Sequence, residues 1–210
     1  IFNSSWSKKR FLEGLENKFV NSDKLLVFHQ SAQKGSFSLL KRKKKWITFV
    51  GKLNRAKGYD IFGKSVLKIL NKFPDWQAKI VGDERREEIN FHHKNLNKLG
   101  FLKHSDVLEI FKKTSIAVVC SRWDEPFGRT SLEAAANGCA VIITNKGGLP
   151  ETITNGIILD NLSVNQLEKS IKDLIIKTKK RKNLQELSLK NFYLTNKFVS
   201  RLIDDYRDLK

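Results

Sequence analysis

Methionine is absent from the 210-residue chain and cysteine occurs only twice. No apolar run approaches the roughly 20 residues that would span a bilayer. A membrane-spanning helix is therefore not expected. The opening residues Ile1-Phe2-Asn3-Ser4-Ser5 lack the charged-then-apolar pattern of a secretory signal. With no initiator methionine and a strand-like start, the chain is expected to be a fragment of a larger protein. Cys120 and Cys139 are too few for a disulfide framework or a zinc site. Each adjoins an apolar stretch and is expected to be a small buried side chain. Reduced thiols fit a cytoplasmic setting. Two glycine motifs are also missing. Without G-x-x-x-x-G-K-[ST] there is no P-loop, and the lack of G-x-G-x-x-G argues against a nicotinamide or flavin site.

Basic residues outnumber acidic ones, 40 to 22, for a formal charge of +18. Such a charge suits an acidic membrane surface or a phosphate-rich ligand. It equally suits a protein that uses lysine as its default surface residue. No aromatic-interleaved basic motif accompanies it, so nucleic acid is not expected as a partner. Peripheral contact with the inner face of a membrane remains compatible with the charge.

Five short apolar runs follow residue 45: Trp46–Val50, Ala78–Val81, Ile116–Cys120, Ala140–Thr144 and Ile157–Leu159. They read as strands buried on both faces. Between them Tyr59–Phe73, Asp106–Phe111 and Leu132–Asn137 read as helices, the last stopped by Gly138. The alternation predicts an α/β fold with a Rossmann-like parallel sheet flanked by helices. Residues 1–40 read as a small βαβ piece, with strands near Phe2–Ser4 and Leu25–His29 and a helix from Ser7 to Leu15. Ser31–Lys45 reads as a linker ending in the basic run 41–45. Val164–Ile176 and Leu184–Leu209 read as two terminal helices. The domain limits expected are 1–40, 41–45, 46–183 and 184–210.

Two loops carry the chemistry. Val50-Gly51-Lys52-Leu53-Asn54-Arg55-Ala56-Lys57-Gly58 follows a strand and opens a helix. Gly51 allows close approach of a ligand, and Lys52 and Lys57 flank the turn, so both ammonium groups are expected to meet one anion. The second loop runs from Ser121 through Glu125-Pro126-Phe127-Gly128 into a helix starting near Arg129. Pro126 and Gly128 force a non-helical entry, so the helix presents its first N–H groups at the sheet edge. A diphosphate there would meet backbone donors on one side and the two lysines on the other. Glu125 and Glu133 would reach different ends of the same ligand, and carboxylates accept hydrogen bonds from vicinal hydroxyls.

The spacing Glu125…Glu133 resembles the E-x7-E signature of retaining glycosyltransferase family 4, which has the GT-B fold. The text Ser121–Val141 is similar to that family's pattern, as are Gly51–Gly58 and Gly147-Gly148-Leu149-Pro150-Glu151. The resemblance covers about residues 46–160. It implies the C-terminal, donor-binding half of a GT-B enzyme that transfers a sugar from a nucleoside diphosphate with retention. Lys52 and Lys57 would hold the diphosphate and act in catalysis with Glu125, which would contact the transferred sugar beside the backbone of Phe127 and Gly128. Thr130 and Ser131 would offer N–H groups to phosphate, Glu133 would bind ribose, and the base would lie near Gly100-Phe101-Leu102. No metal or cofactor is implied. The acceptor, a glycan or lipid-linked glycan, would bind mainly to an N-terminal domain of which residues 1–40 resemble the end. The last helix would pack back toward that side. Lys52 stands where the family usually has arginine, which exchanges a planar fork for a point charge. His29, His92, His93 and His104 show no metal-ligand spacing. A non-catalytic nucleotide-binding module on the same scaffold stays open as an alternative, as do a glycoside hydrolase using the two glutamates and a basic membrane- or nucleic-acid-binding protein.

Overall fold

A computed structural model describes residues 1–15 and 24–208. Its strands are β1 (Lys44–Val50), β2 (Gln77–Val81), β3 (Leu96–Lys98), β4 (Thr114–Val119), β5 (Ala140–Thr144) and β6 (Ile157–Leu159). All pair in parallel in the order β3-β2-β1-β4-β5-β6. The five apolar runs are five of these strands, because a parallel strand covered on both faces has no polar side to show. Alternate residues divide between two cores. Ile47, Phe49, Ile116, Val118 and Ile142 enter one, and Ala117, Val141 and Ile143 enter the other.

The helices are α1 (Ser5–Glu13), α2 (Tyr59–Lys72), α3 (His104–Lys113), α4 (Arg129–Ala136), α5 (Val164–Ile176), α6 (Thr178–Lys190) and α7 (Asn196–Asp208). Helices α2 and α5 cover the first core, while α3 and α4 cover the second. Ser65 sits in the α2–α5 seam, and its hydroxyl donates to Ile61 O and Val164 O at 2.8 and 3.0 Å. The helix α4 is packed by Ala134, Ala135 and Ala136, all buried, which lets its backbone lie close to the sheet.

Several expectations need correction. Strand β3 is not among the five expected strands. It is a three-residue edge strand with one apolar side chain, so no periodicity marks it. The span Leu184–Leu209 is two helices broken at 191–195, where Ala32 N–H donates to Leu194 O at 3.0 Å and draws the chain away (Leu209 itself lies outside the described residues). The helix α6 starts six residues before Leu184. Its first turns are basic and carry no apolar stripe. Helix α1 starts before Ser7. Ser4 is its N-cap, accepting from Ser7 N–H at 2.9 Å. The expected flanking strands reduce to one isolated bridge, Phe2 with Val27. Residues 16–23 of that segment lie outside the described residues.

The linker expectation for Ser31–Lys45 also fails in part. Phe37–Arg42 forms a 3-10 helix with Leu39 buried, and Lys44 and Lys45 already belong to β1. Lys43, in the middle of the basic run, is turned inward. Its ammonium donates to Phe111 O at 2.9 Å and Asn137 O at 2.7 Å, carbonyls at the ends of α3 and α4. Burial lowers its pKa, and Cys139 beside it partly offsets that.

Both cysteines are buried and free, as expected. Burial pushes the Cys120 thiol up to about 12 from 9.0. The folded state therefore keeps a proton that the unfolded chain loses above pH 9.0. Stability is full below that pH and falls as pH rises toward 12, by roughly 1.4 kcal/mol per unit. Cys139 and Tyr59, also raised by burial, add to the slope, and Lys43 opposes it. Urea unfolding at pH 8 to 10.5 is expected to show this decline, and Cys120→Ala is expected to flatten it. An unchanged slope in the variant counts against a buried thiol at this position.

Candidate functional site

The sheet order 3-2-1-4-5-6 puts a switch point between β1 and β4, since the chain leaves β1 for α2 on one face and β4 for α4 on the other. Ligands in open α/β sheets bind in the crevice outside such a point. Both loops singled out in the sequence open there. They are also tied together. Arg122 N–H and Trp123 N–H both donate to Ala56 O, at 2.8 and 3.1 Å. The Arg122 guanidinium meets both oxygens of Asp60 at 2.7 and 2.8 Å. Burial raises the Asp60 carboxyl, and the Arg122 bonds more than offset it, leaving the pKa below its usual value. Lys57 N–H donates to Asn54 Oδ1 at 3.0 Å, and Asn54 is itself held by Glu84 at 2.9 Å.

Two contiguous cavities share Val50 and Gly51. The smaller, about 90 Å³, is lined by Gly51, Lys57, Glu125, Gly128, Arg129 and Thr130 among others. The larger, about 430 Å³, takes in Lys52, Phe101, Leu102, His104 and Glu133. The larger falls in the ~300–1,000 Å³ range of ligand pockets. Lys57 lines the smaller cavity and Lys52 the larger. Lys57 stands opposite the start of α4, and Lys52 opens beside Glu133. Gly128 provides no side-chain cap to α4, so the helix's first N–H groups face the smaller cavity around Thr130.

Phe127 and Ser131, expected to serve through their backbones, bury their side chains. Phe127 is buried in the second core, its ring stacked on His29 with centroids 5.4 Å apart. Ser131 is fully buried, its hydroxyl against Gly128 O at 2.8 Å and Thr152 Oγ1 at 2.7 Å. His104, exposed and without metal-ligand spacing, has a partner in the site. Its Nε2 lies 2.9 Å from Glu133 Oε1, and Arg129 Nε and Nη2 reach the same oxygen at 3.0 and 2.8 Å. Arg129 could have been found, since it stands four residues before Glu133 on one helix face. His104 comes from another helix and carries no such signal. His29 bonds Glu151 at 2.9 Å, and Glu151 also accepts from Ser5 N–H and Trp6 N–H at 2.7 and 2.9 Å. The Glu151 carboxyl is raised by burial but lowered further by His29 and those amides. This ties α1 to the Gly147–Glu151 loop. Lys57 and Glu125 form an ion pair across the smaller cavity.

A six-stranded parallel sheet in this order, flanked by helices, matches the C-terminal half of the GT-B fold. The sequence profile described as "Glycosyl transferases group 1" matches residues 32–190, and the chain belongs to that family. It is 32% identical to spore coat protein SA of Bacillus subtilis over 162 residues, 69% of this chain and 43% of that protein. It is 29% identical to the lipopolysaccharide core biosynthesis mannosyltransferase LpsB of Rhizobium meliloti over 123 residues, 54% of this chain and 35% of that protein. The chain thus matches less than half the length of these relatives. The crystal structure of Anabaena HepE in complex with UDP-glucose superposes on all of this chain with a TM-score of 0.81 at 18% identity, covering 63% of the HepE chain. No helix among the described residues is long and apolar enough to cross a membrane.

Proposed function

We propose that this chain binds a nucleoside-diphosphate sugar and forms the donor half of a metal-independent, retaining glycosyltransferase, a hexosyltransferase of family 4. The observation that carries the reading is the smaller cavity, where Lys57 and Glu125 face the uncapped start of α4. The diphosphate would lie against the Thr130 amide, Lys57 and Arg129. The sugar would sit by Glu125, the ribose by Glu133, and the base against Phe101 and Leu102, with Lys52 alongside. In the reaction the bond from the anomeric carbon to the phosphate oxygen breaks. The acceptor oxygen attacks from the same face, and its proton passes to the leaving phosphate. Lys57 and the dipole of α4 compensate the charge that develops on that phosphate. The bound UDP-glucose of the HepE structure supports a uridine donor by analogy. The mannosyltransferase relative supports a glycan or lipid-linked acceptor in the same way. The +18 charge is compatible with peripheral membrane contact, which would bring a lipid-linked acceptor within reach.

The test is a thermal-shift panel of nucleoside diphosphates and their sugars against the chain, since a ligand that binds only the folded state raises the melting temperature. Stabilisation by at least one nucleoside diphosphate is expected, and no response to any defeats the reading. Lys57→Ala is expected to weaken diphosphate binding by about 1–3 kcal/mol, the range for losing a charged hydrogen-bond partner. Calorimetry of the variant checks it.

A further inference from the structure

The ion pair between Lys57 and Glu125 raises a question the donor-site reading does not answer. Both groups line the one small cavity, and each is assigned to a different part of the donor. While Lys57 holds Glu125, its charge is partly neutralised toward phosphate, and a Glu125 oxygen is engaged away from sugar hydroxyls. The backbones on both sides are fixed. Lys57 lies in a turn closed by Asn54 and by Gly58 N–H to Arg55 O at 2.9 Å. Glu125 O accepts from Gly148 N–H at 2.6 Å. The lysine side chain is 31% exposed and the glutamate 14%, so the long ammonium arm is the part with freedom to move.

Resting on the donor-site reading, we propose that the Lys57–Glu125 pair is an exchange switch that couples the phosphate and sugar subsites. The donor's diphosphate takes Lys57 away from Glu125, and the released carboxylate accepts the sugar hydroxyls. No covalent bond changes; a carboxylate on the ammonium is replaced by a phosphate oxygen. Two consequences follow. A sugar lacking the diphosphate meets a carboxylate that is already paired, so free sugar is rejected. A nucleoside diphosphate lacking the sugar must break the pair with nothing to replace Lys57 on Glu125, so it binds below the strength its own contacts would give.

The second consequence gives a test whose sign differs from that of an ordinary contact residue. Glu125→Gln keeps the shape but removes the charge that holds Lys57. UDP, GDP and ADP are titrated calorimetrically into the wild-type chain, Glu125→Gln, Lys57→Gln and the double variant, with uridine as the phosphate-free comparison. For whichever diphosphate binds, Glu125→Gln is expected to tighten binding roughly two- to fivefold, the worth of a partly exposed ion pair. Lys57→Gln is expected to weaken it. In the Lys57→Gln background, Glu125→Gln is expected to have no further effect, which separates release of Lys57 from a general loss of negative charge. Uridine binding is expected to be the same in wild type and Glu125→Gln. Unchanged or weaker diphosphate binding in Glu125→Gln overturns the switch, and so does tightening that persists without Lys57. Thermal melts of each variant show that it is folded. A wild-type chain that binds none of the three diphosphates fails the donor-site reading itself, an outcome distinct from a wild-type chain that binds while Glu125→Gln does not tighten.

Discussion

Gly58→Ala is expected to destabilise the fold by about 3–5 kcal/mol, the sum of a left-handed residue and a steric conflict. Gly58 has φ +73°, and an added Cβ would stand 1.9 Å from Cys120 O and 3.1 Å from Cys120 Sγ. The first of these is backbone at the end of β4, which has no rotamer to give. Gly100→Ala provides the control. Gly100 has φ +67° but no atom within 4 Å of its added Cβ. Its cost is expected to be only the conformational part, about 1 kcal/mol. Urea unfolding of both variants measures the difference. Equal destabilisation would show that contact with β4 contributes nothing. The position matters for function, because Gly58 joins the Lys57 turn to α2 directly against the strand that leads to Glu125.

Glu133→Ala is expected to weaken nucleoside diphosphate binding by about 1–3 kcal/mol, or roughly 5- to 150-fold in Kd. Glu133 is 5% exposed, and its contacts with Arg129 and His104 fall on Oε1. In the proposed donor site, Oε2 would be the oxygen that takes a ribose hydroxyl. Removing the side chain takes away this acceptor and leaves a guanidinium without its partner beside the phosphate cavity. Calorimetry with UDP and with its 2′,3′-dideoxy analogue separates the two effects. The ribonucleotide is expected to lose affinity and the dideoxy analogue to lose much less. Equal losses would move the ribose away from Glu133.

These two positions differ in how far the sequence revealed them. Glu133 stood out by its spacing from Glu125 and by the helix that carries it. Its partners did not stand out equally. Arg129 shares its helix face at a fixed interval, whereas His104 arrives from α3 through tertiary packing, to which a one-dimensional pattern is blind. The strands of the sheet interior were legible because their burial leaves continuous apolar runs. The edge strand β3, with Leu96 as its one apolar residue, was not. Charge misled the reading at Lys43, where a basic run suggested solvent. Its ammonium is instead consumed by two helix-end carbonyls. The break between α6 and α7 had a local sign, the Thr195 hydroxyl accepting from Phe198 N–H at 3.2 Å, but it was hidden by the apolar residues on either side.

The three consecutive alanines behind Glu133 constrain how this scaffold can diverge. Where these alanines pack under α4, a bulkier replacement would lift the helix and carry its acidic side chain and its leading amides off target together. Relatives that accept another nucleotide or another sugar are therefore expected to differ at the rim, in the turns after β2, β3 and β5, while the seat of α4 keeps its small residues.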